Sequence, residues 1–310
     1  MTGAKVTIVG AGRVGASAAY ALQLGSTCRE LVLVDVASDL ARGEAMDLMH
    51  GRAIAGGPCI AAGDYDAARG SDLVIVTAGL RRRPDESRLE LIERNVTLFR
   101  TIIRELKEAG AGDAVLLVVT NPVDVLTYLA AVELGWPRER TIGLGTALDT
   151  LRFRSLLGER LGLDPARIDA LIIGEHGDSM VPLLSAARYE GRPLASAPGY
   201  SEQAVREAVE ATRRAGAEVL RLKGGAGYAV GLAVREVSAA ILNEAPAALP
   251  VSTVHDAGEL AGVALSLPTR VGRRGVKEVV RPQMAEGEHR ALIDSAEVLR
   301  KTIARVMASA

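Results

Sequence analysis

The chain has 310 residues, of which 48% are hydrophobic, so we expect a large buried core divided between two domains. Lysine plus arginine number 37 and aspartate plus glutamate number 38, a balance that argues against a nucleic acid or an anionic membrane as partner. Two cysteines without a CxxC motif suggest neither a disulfide framework nor a metal site. The expected partner is a small molecule.

The residues after Met1 contain one lysine and continue directly into a glycine-punctuated strand, without the apolar core and cleavage site of a signal peptide. No later apolar run approaches the roughly 20 residues that a membrane span needs. Together with the low cysteine count, these features predict a cytoplasmic protein.

The first half alternates between short aliphatic runs and a helical pattern. The predicted buried strands are Lys5–Val9, Leu31–Val34, Leu73–Thr77 and Ala114–Val119, and the clearest helical pattern is Arg88–Lys107. This alternation predicts an α/β fold with a Rossmann-type doubly wound parallel sheet.

The second half is less regular and contains two long amphipathic patterns, Ser201–Leu222 and His289–Val306. They predict an α+β domain after the sheet. We place the boundary so that residues 1–144 form the dinucleotide-binding domain and residues 145–310 form the second domain.

Gly10, Gly12 and Gly15 form a GxGxxG motif directly after the first predicted strand. Glycines there allow a tight turn and a close approach of backbone N–H groups to a pyrophosphate. Asp35 ends the next strand, 20 residues after Gly15, where a carboxylate can accept ribose hydroxyls and repel a 2′-phosphate. This spacing favours NAD over NADP as cofactor.

Four further segments carry chemically informative residues: RRRPDESR at 81–88, TNPVD at 120–124, LDTLRFR at 148–154 and GEHGDSMVPL at 174–183. With the glycine loop, these segments resemble the lactate/malate dehydrogenases over nearly the whole chain, in the same order and at similar spacings. The resemblance implies an NAD-dependent oxidoreductase that acts on a small 2-hydroxy acid.

The resemblance also implies roles for individual residues. His176 would take the proton of the substrate hydroxyl, and Asp149 would orient its ring and stabilise the imidazolium. Arg152, three residues after Asp149, would bind the C1 carboxylate through its planar guanidinium. Arg88 would polarise the ketone oxygen, and Asn121 would hydrogen-bond near the reacting oxygen and the nicotinamide.

In this family the residue six positions before the loop arginine contacts the distal group of the substrate. Here that residue is Arg82, a cation suited to the second carboxylate of oxaloacetate, so the sequence predicts a malate dehydrogenase, an enzyme of the tricarboxylic acid cycle. Gly227 is predicted to stand where lactate enzymes place a threonine, which would widen the pocket. Glu86, however, is typical of the lactate-type loop, and its charge would repel a dicarboxylate.

The chain therefore resembles a malate dehydrogenase of the lactate-dehydrogenase-like branch, whose members form homotetramers or homodimers. L-lactate dehydrogenase or mixed specificity is the alternative, and a non-catalytic NAD-binding protein is a more remote one. Arg154 and Asp169 occupy two positions that bind fructose 1,6-bisphosphate in regulated relatives. Because a carboxylate at Asp169 should repel phosphate, we predict no activation by that effector.

Overall fold

The computed structural model describes residues 3–81, 83 and 85–308 and, of Arg88, only its place in a helix. The strands are β1 Lys5–Val9, β2 Glu30–Val34, β3 Cys59–Gly63, β4 Leu73–Val76, β5 Val115–Val118, β6 Thr141–Gly143, β7 Ile168–Asp169, β8 Ile172–Ile173, β9 Val181–Pro182, β10 Arg188–Tyr189, β11 Arg192–Pro193, β12 Leu249–His255, β13 Val263–Gly272 and β14 Gly275–Val279. The α-helices are α1 Arg13–Leu24, α2 Ser38–His50, α3 Arg52–Ala55, α4 Arg88–Glu108, α5 Val123–Val132, α6 Ala147–Leu161, α7 Glu202–Lys223, α8 Tyr228–Asn243 and α9 Glu286–Ala308.

The main sheet contains nine strands in the order β14-β13-β12-β6-β5-β4-β1-β2-β3. The six strands from β3 to β6 pair in parallel, and their order 3-2-1-4-5-6 is that of a doubly wound dinucleotide-binding sheet. The predicted fold class is therefore confirmed. β3 and β6 were not predicted, because β3 contains small residues and β6 only three residues.

The three remaining strands of this sheet come from the second half of the chain. β12 joins the edge of β6 in antiparallel pairing, with Ser252 opposite Gly143, and β13 and β14 extend the sheet further. The predicted boundary at residues 144 and 145 lies between β6 and α6. Although the sheet continues past this point, the division into two domains remains our proposal.

Both faces of the parallel sheet are covered by helices. In β4, Val74 and Val76 face the core that contains α4, α5 and α9, whereas Leu73 and Ile75 face the core that contains α1 and α8. All four side chains are fully buried, which explains why this strand is a continuous apolar run without polar alternation. A third, smaller core lies between α6 and α7.

The predicted long helices correspond to α4, α7 and α9 within a few residues. α4 begins where it does because Ser87 and Glu90 form a capping box, in which each side chain accepts a hydrogen bond from the other residue's main-chain N–H. Arg88 is consequently the first helical residue. Within the described ranges, no helix combines the length and apolar character needed to cross a membrane.

Candidate active site

The turn between β1 and α1 requires glycine at two of the three predicted positions. Gly10 has a φ of +103°, and a β-carbon there would lie 2.5 Å from the main-chain nitrogen of Ala78. A β-carbon at Gly15 would lie 1.8 Å from the carbonyl oxygen of Gly10. Because neither position has a β-carbon, the turn can fold tightly against β4 and the loop that follows it.

Gly12 is different, because a β-carbon there would meet nothing within 4 Å. It precedes α1 without a side-chain cap, so the space and the first N–H groups of the helix are open to a ligand. The cleft around it is lined by the three glycines and by Asp35. The residues present thus fit a dinucleotide pyrophosphate.

The carboxylate of Asp35 lies at the end of β2, as predicted. It accepts hydrogen bonds from the main-chain nitrogens of Ala11 at 2.7 Å and Ala37 at 2.9 Å. Since a carboxylate has about four acceptor positions, it can hold the glycine loop and still accept ribose hydroxyls.

A buried acid of α6 contacts both the imidazole of His176 and an arginine of the same helix. Nδ1 of His176 lies 2.5 Å from Oδ2 of Asp149, and Nη1 of Arg152 lies 3.2 Å from Oδ1 of the same carboxylate. Asp149 is 1% exposed. Because Asp149 and Arg152 are three residues apart on one helix, both reach the same place. The three residues predicted to act together are adjacent.

The charges in this cluster favour a protonated imidazole. Burial lowers the pKa of His176, but the charge and hydrogen bond of Asp149, together with the charge of Asp124, outweigh it and raise that pKa. Burial raises the pKa of Asp149, but the charges and hydrogen bonds of His176 and Arg152 hold it below its ordinary value. Such a pair can hold and release a proton at Nε2 of His176.

One cavity is lined by His176, Arg152 and Asn121. It shares Val14, Gly225 and Ala226 with the cleft around the glycine loop. A molecule bound at Arg152 would therefore lie beside the inner end of a dinucleotide in that cleft. Asn121 reaches this position because it ends the loop between β5 and α5.

Gly227 is not among the residues that line this cavity, and its predicted place beside the substrate stays a prediction. A β-carbon on Gly227 would instead face Oγ of Ser17 at 3.0 Å and the side chain of Arg13. Ala226, one residue earlier, lines the cavity.

Two of the predicted residues, Arg82 and Arg88, belong to the segment that leads into α4 and to the first position of that helix. Arg82, the predicted specificity residue, lies outside the described residues, and the role of the Arg88 side chain stays a prediction. Glu86 is buried, and its carboxylate accepts hydrogen bonds from Nη1 of Arg94 at 2.5 Å and from the main-chain nitrogen of Arg83 at 2.9 Å. These bonds and the charge of Arg94 hold the pKa of Glu86 below its ordinary value.

This pairing changes one expectation from the sequence. Glu86 was expected to repel a dicarboxylate, but its charge is balanced by Arg94 and it does not line the cavity of His176. Its observed contacts include Arg94 of α4 and the main chain of Arg83 in the loop. The argument that Glu86 alone disfavours malate therefore loses its physical basis.

Asp124 was quoted within a motif but given no role in the sequence analysis. In the structure it is 2% exposed, and its Oδ2 accepts the main-chain N–H of His176 at 2.7 Å. An acid inside the otherwise apolar run VDVLTYLAAV was the available signal, because a buried carboxylate almost always has a specific partner.

Arg154 also has a partner that bears on regulation. Its Nη2 lies 3.2 Å from Oδ1 of Asp169, and its Nε donates to the carbonyl oxygen of Ala170 at 3.0 Å. Asp169 is therefore paired with the guanidinium of Arg154, which a phosphate would need to contact. The absence of activation by fructose 1,6-bisphosphate stays a prediction.

Hydride transfer requires that the hydroxy acid and the nicotinamide lie side by side. The cleft and the cavity share part of their walls, so the two molecules can meet there. The fold and the site define an NAD-dependent dehydrogenase.

The family is shown by direct comparison. Residues 4–143 match the lactate/malate dehydrogenase NAD-binding domain, and residues 146–310 match the α/β C-terminal domain of the same enzymes. The chain belongs to the lactate/malate dehydrogenase family, and NAD is its cofactor.

Individual relatives include enzymes of both names. An L-lactate dehydrogenase of Synechococcus sp. is 42% identical over 301 residues, covering 96% of this chain and 98% of that relative. Among solved structures, a lactate dehydrogenase from a Medee basin deep-sea metagenome library is 35% identical, with a TM-score of 0.94 over 99% of this chain and 100% of the other. The malate dehydrogenase of Picrophilus torridus is 30% identical, with a TM-score of 0.92 over 98% of each chain.

Proposed function

We propose that this enzyme interconverts L-lactate and pyruvate, with NAD as the hydride acceptor and donor. The observation that carries the proposed reaction is the contact of one buried carboxylate, Asp149, with both His176 and Arg152. It brings a proton carrier and a carboxylate-binding cation to one cavity.

In the oxidative direction, Nε2 of His176 takes the hydroxyl proton, and bound NAD would accept the hydride from the same carbon. Arg152 binds the C1 carboxylate and so fixes which face of that carbon is presented. Asn121 donates toward the reacting oxygen. The predicted role of Arg88 is to stabilise negative charge on that oxygen during reduction.

The relatives support lactate as the acid. Relatives that are 42% identical over almost their whole length are named L-lactate dehydrogenases.

Malate is the second candidate, and Arg82 favours it. A cation at this position would pair with the distal carboxylate of oxaloacetate, whereas the methyl group of pyruvate offers it no partner. Stranding one member of a buried ion pair costs about 3–5 kcal/mol. This consideration opposes the inference from the relatives, so the substrate has to be measured.

The test is NADH oxidation at 340 nm with pyruvate and oxaloacetate in parallel. A higher kcat/KM for pyruvate supports the proposal. A higher kcat/KM for oxaloacetate overturns it in favour of malate, and no turnover of either acid contradicts the proposed reaction.

We further propose that the enzyme is a homo-oligomer, with a tetramer favoured over a dimer. Large apolar side chains are exposed on α1, α2 and α8, which pack against one another in the order α2, α1, α8. Leu40 and Met46 of α2 and Leu232 of α8 are examples. Light scattering coupled to size-exclusion chromatography gives the subunit number directly, and a monomer at micromolar concentration would contradict this proposal.

A further inference from the structure

A second buried acid, Asp124, contacts the main chain of His176, whereas Asp149 contacts its ring. Asp124 is the second residue of α5 and is 2% exposed. Its Oδ2 accepts the main-chain N–H of His176 at 2.7 Å, and its Oδ1 has no hydrogen-bond partner among the described residues. Burying a charge with so few partners is costly, which calls for an explanation.

The hydrogen bond joins the two halves of the chain at the reacting group. Asp124 belongs to the part that matches the NAD-binding domain, and His176 belongs to the part that matches the C-terminal domain. The same helix start carries Asn121, which lines the cavity. The beginning of α5 therefore fixes the position of the His176 main chain relative to the cofactor half.

A neutral asparagine could accept the same hydrogen bond at lower cost. Burial raises the pKa of Asp124 to about 6, the neighbouring Glu175 adds to the rise, and the N–H and the charge of His176 oppose it only in part. Above that pH the carboxylate is charged, and its charge raises the pKa of His176. The use of an acid here thus has an effect on the imidazole that an amide would lack.

The charged groups around the imidazole come from two helices and its own loop. α6 contributes Asp149 and Arg152, α5 contributes Asp124, and Glu175 precedes His176 in the chain. Arg152 opposes protonation of the imidazole, whereas the two aspartates favour it. The removal of either acid should therefore weaken the hold on the proton.

We propose that Asp124 is a positioning residue for His176, which anchors the main chain of the imidazole to the cofactor half and supplies a second buried negative charge beside it. The inference rests on the proposed dehydrogenase reaction, in which His176 carries the proton.

The experiment compares the parent with Asp124→Asn and Asp124→Ala, and uses Asp294→Asn on the exposed face of α9 as a matched control. The readouts are kcat for the acid that the parent reduces, the pH profile of kcat/KM, and the Kd of NADH by fluorescence. NMR of histidine-labelled protein gives the pKa of His176 independently of turnover, and only four histidines need to be assigned.

Asp124→Asn keeps the acceptor and removes the charge. We expect kcat within about 3-fold of the parent, with the pKa of His176 and the alkaline limit of keto-acid reduction lowered by about half a unit to one unit. Asp124→Ala removes the acceptor too, and the misplaced imidazole should lower kcat by about 10- to 100-fold while the Kd of NADH changes by less than about 2-fold.

The folded chain holds the Asp124 proton more tightly than the unfolded chain, so this residue's contribution to stability is lost as pH rises through about 6. Asp124→Asn should therefore melt at or above the parent Tm at pH 8.

An unchanged pKa of His176 in Asp124→Asn overturns the proposal, and so does a kcat equal to that of the parent in Asp124→Ala. If the alanine variant does not fold, the asparagine result decides alone. If the parent reduces neither acid, the proposed function fails, while the NMR measurement still tests Asp124.

Discussion

The surroundings of His176 and the loop before α4 are held in different ways. His176 is fixed by Asp149 and Asp124, two carboxylates that are 1% and 2% exposed and come from different helices. In the loop, Arg81, Arg83 and Asp85 are exposed. The loop is held by its buried residue Glu86, which contacts Arg94 and the main chain of Arg83.

This difference separates two properties of the enzyme. Rigid, buried groups with shifted pKa values set the type of reaction, because proton transfer depends on fixed geometry. An exposed loop can change the acid that is accepted without disturbing that geometry. Relatives named for lactate and for malate can accordingly share the fold with TM-scores of 0.94 and 0.92.

The largest expected effect comes from His176→Asn, which removes the proton carrier. We expect kcat to fall by about 10²- to 10⁴-fold, the range of general acid–base catalysis, with NADH binding retained. Steady-state kinetics and NADH fluorescence measure the two quantities. His289→Asn, exposed on α9, is the control. Substantial residual turnover would show that another group carries the proton.

Asp149→Asn should have the next largest effect, about 10²-fold or more on kcat, because the ring of His176 loses its charged partner. Asp149 raises the pKa of His176 against the effect of burial. Without that charge the imidazole loses its proton at lower pH, so the alkaline limit of keto-acid reduction should move to lower pH. A pH profile of kcat/KM measures the shift, and an unchanged profile would contradict the assignment.

How much of this arrangement the sequence could predict depends on the kind of residue. Leu73–Val76 was predictable as a strand because it is a continuous apolar run. The roles of His176, Asp149 and Arg152 were predicted because the segments that contain them resemble those of a known family. The extension of the sheet by β12 was not predictable, because its pairing of Ser252 with Gly143 joins distant segments. The predicted place of Gly227 beside the substrate stays a prediction. Asp124 could have been found as a lone acid in an apolar helix.

Arg152→Lys tests the substrate end of the buried centre. Lysine keeps the charge but loses the planar fork that binds a carboxylate through two hydrogen bonds, so we expect KM for the keto acid to rise by about 10- to 100-fold. kcat at saturation should fall less. Arg160→Lys, exposed on the same helix, should leave both constants unchanged. An effect on kcat alone would place Arg152 in the chemical step instead.

Glu86→Gln should give the smallest effect and sharpen the comparison from the side of the loop. The amide can still accept the N–H of Arg83 but loses the charge that pairs with Arg94. Because the hydrogen bond to the main chain of Arg83 is kept and the Arg94 side chain is 29% exposed, we expect kcat/KM to fall by no more than about 5-fold. Glu108→Gln, exposed at the end of α4, is the matched control. A loss as large as that of Asp149→Asn would mean that the loop participates in the chemistry.

The most direct test of the separation between reaction and acid choice is the ratio of kcat/KM for pyruvate to that for oxaloacetate in the parent and in Arg82→Gln. The account predicts that this ratio rises by about 10²-fold in the variant, while the Kd of NADH and the pKa of His176 stay at their parent values. An unchanged ratio, or an equal loss of activity toward both acids, would contradict the account, because it would mean that the loop does not select the acid independently of the buried centre.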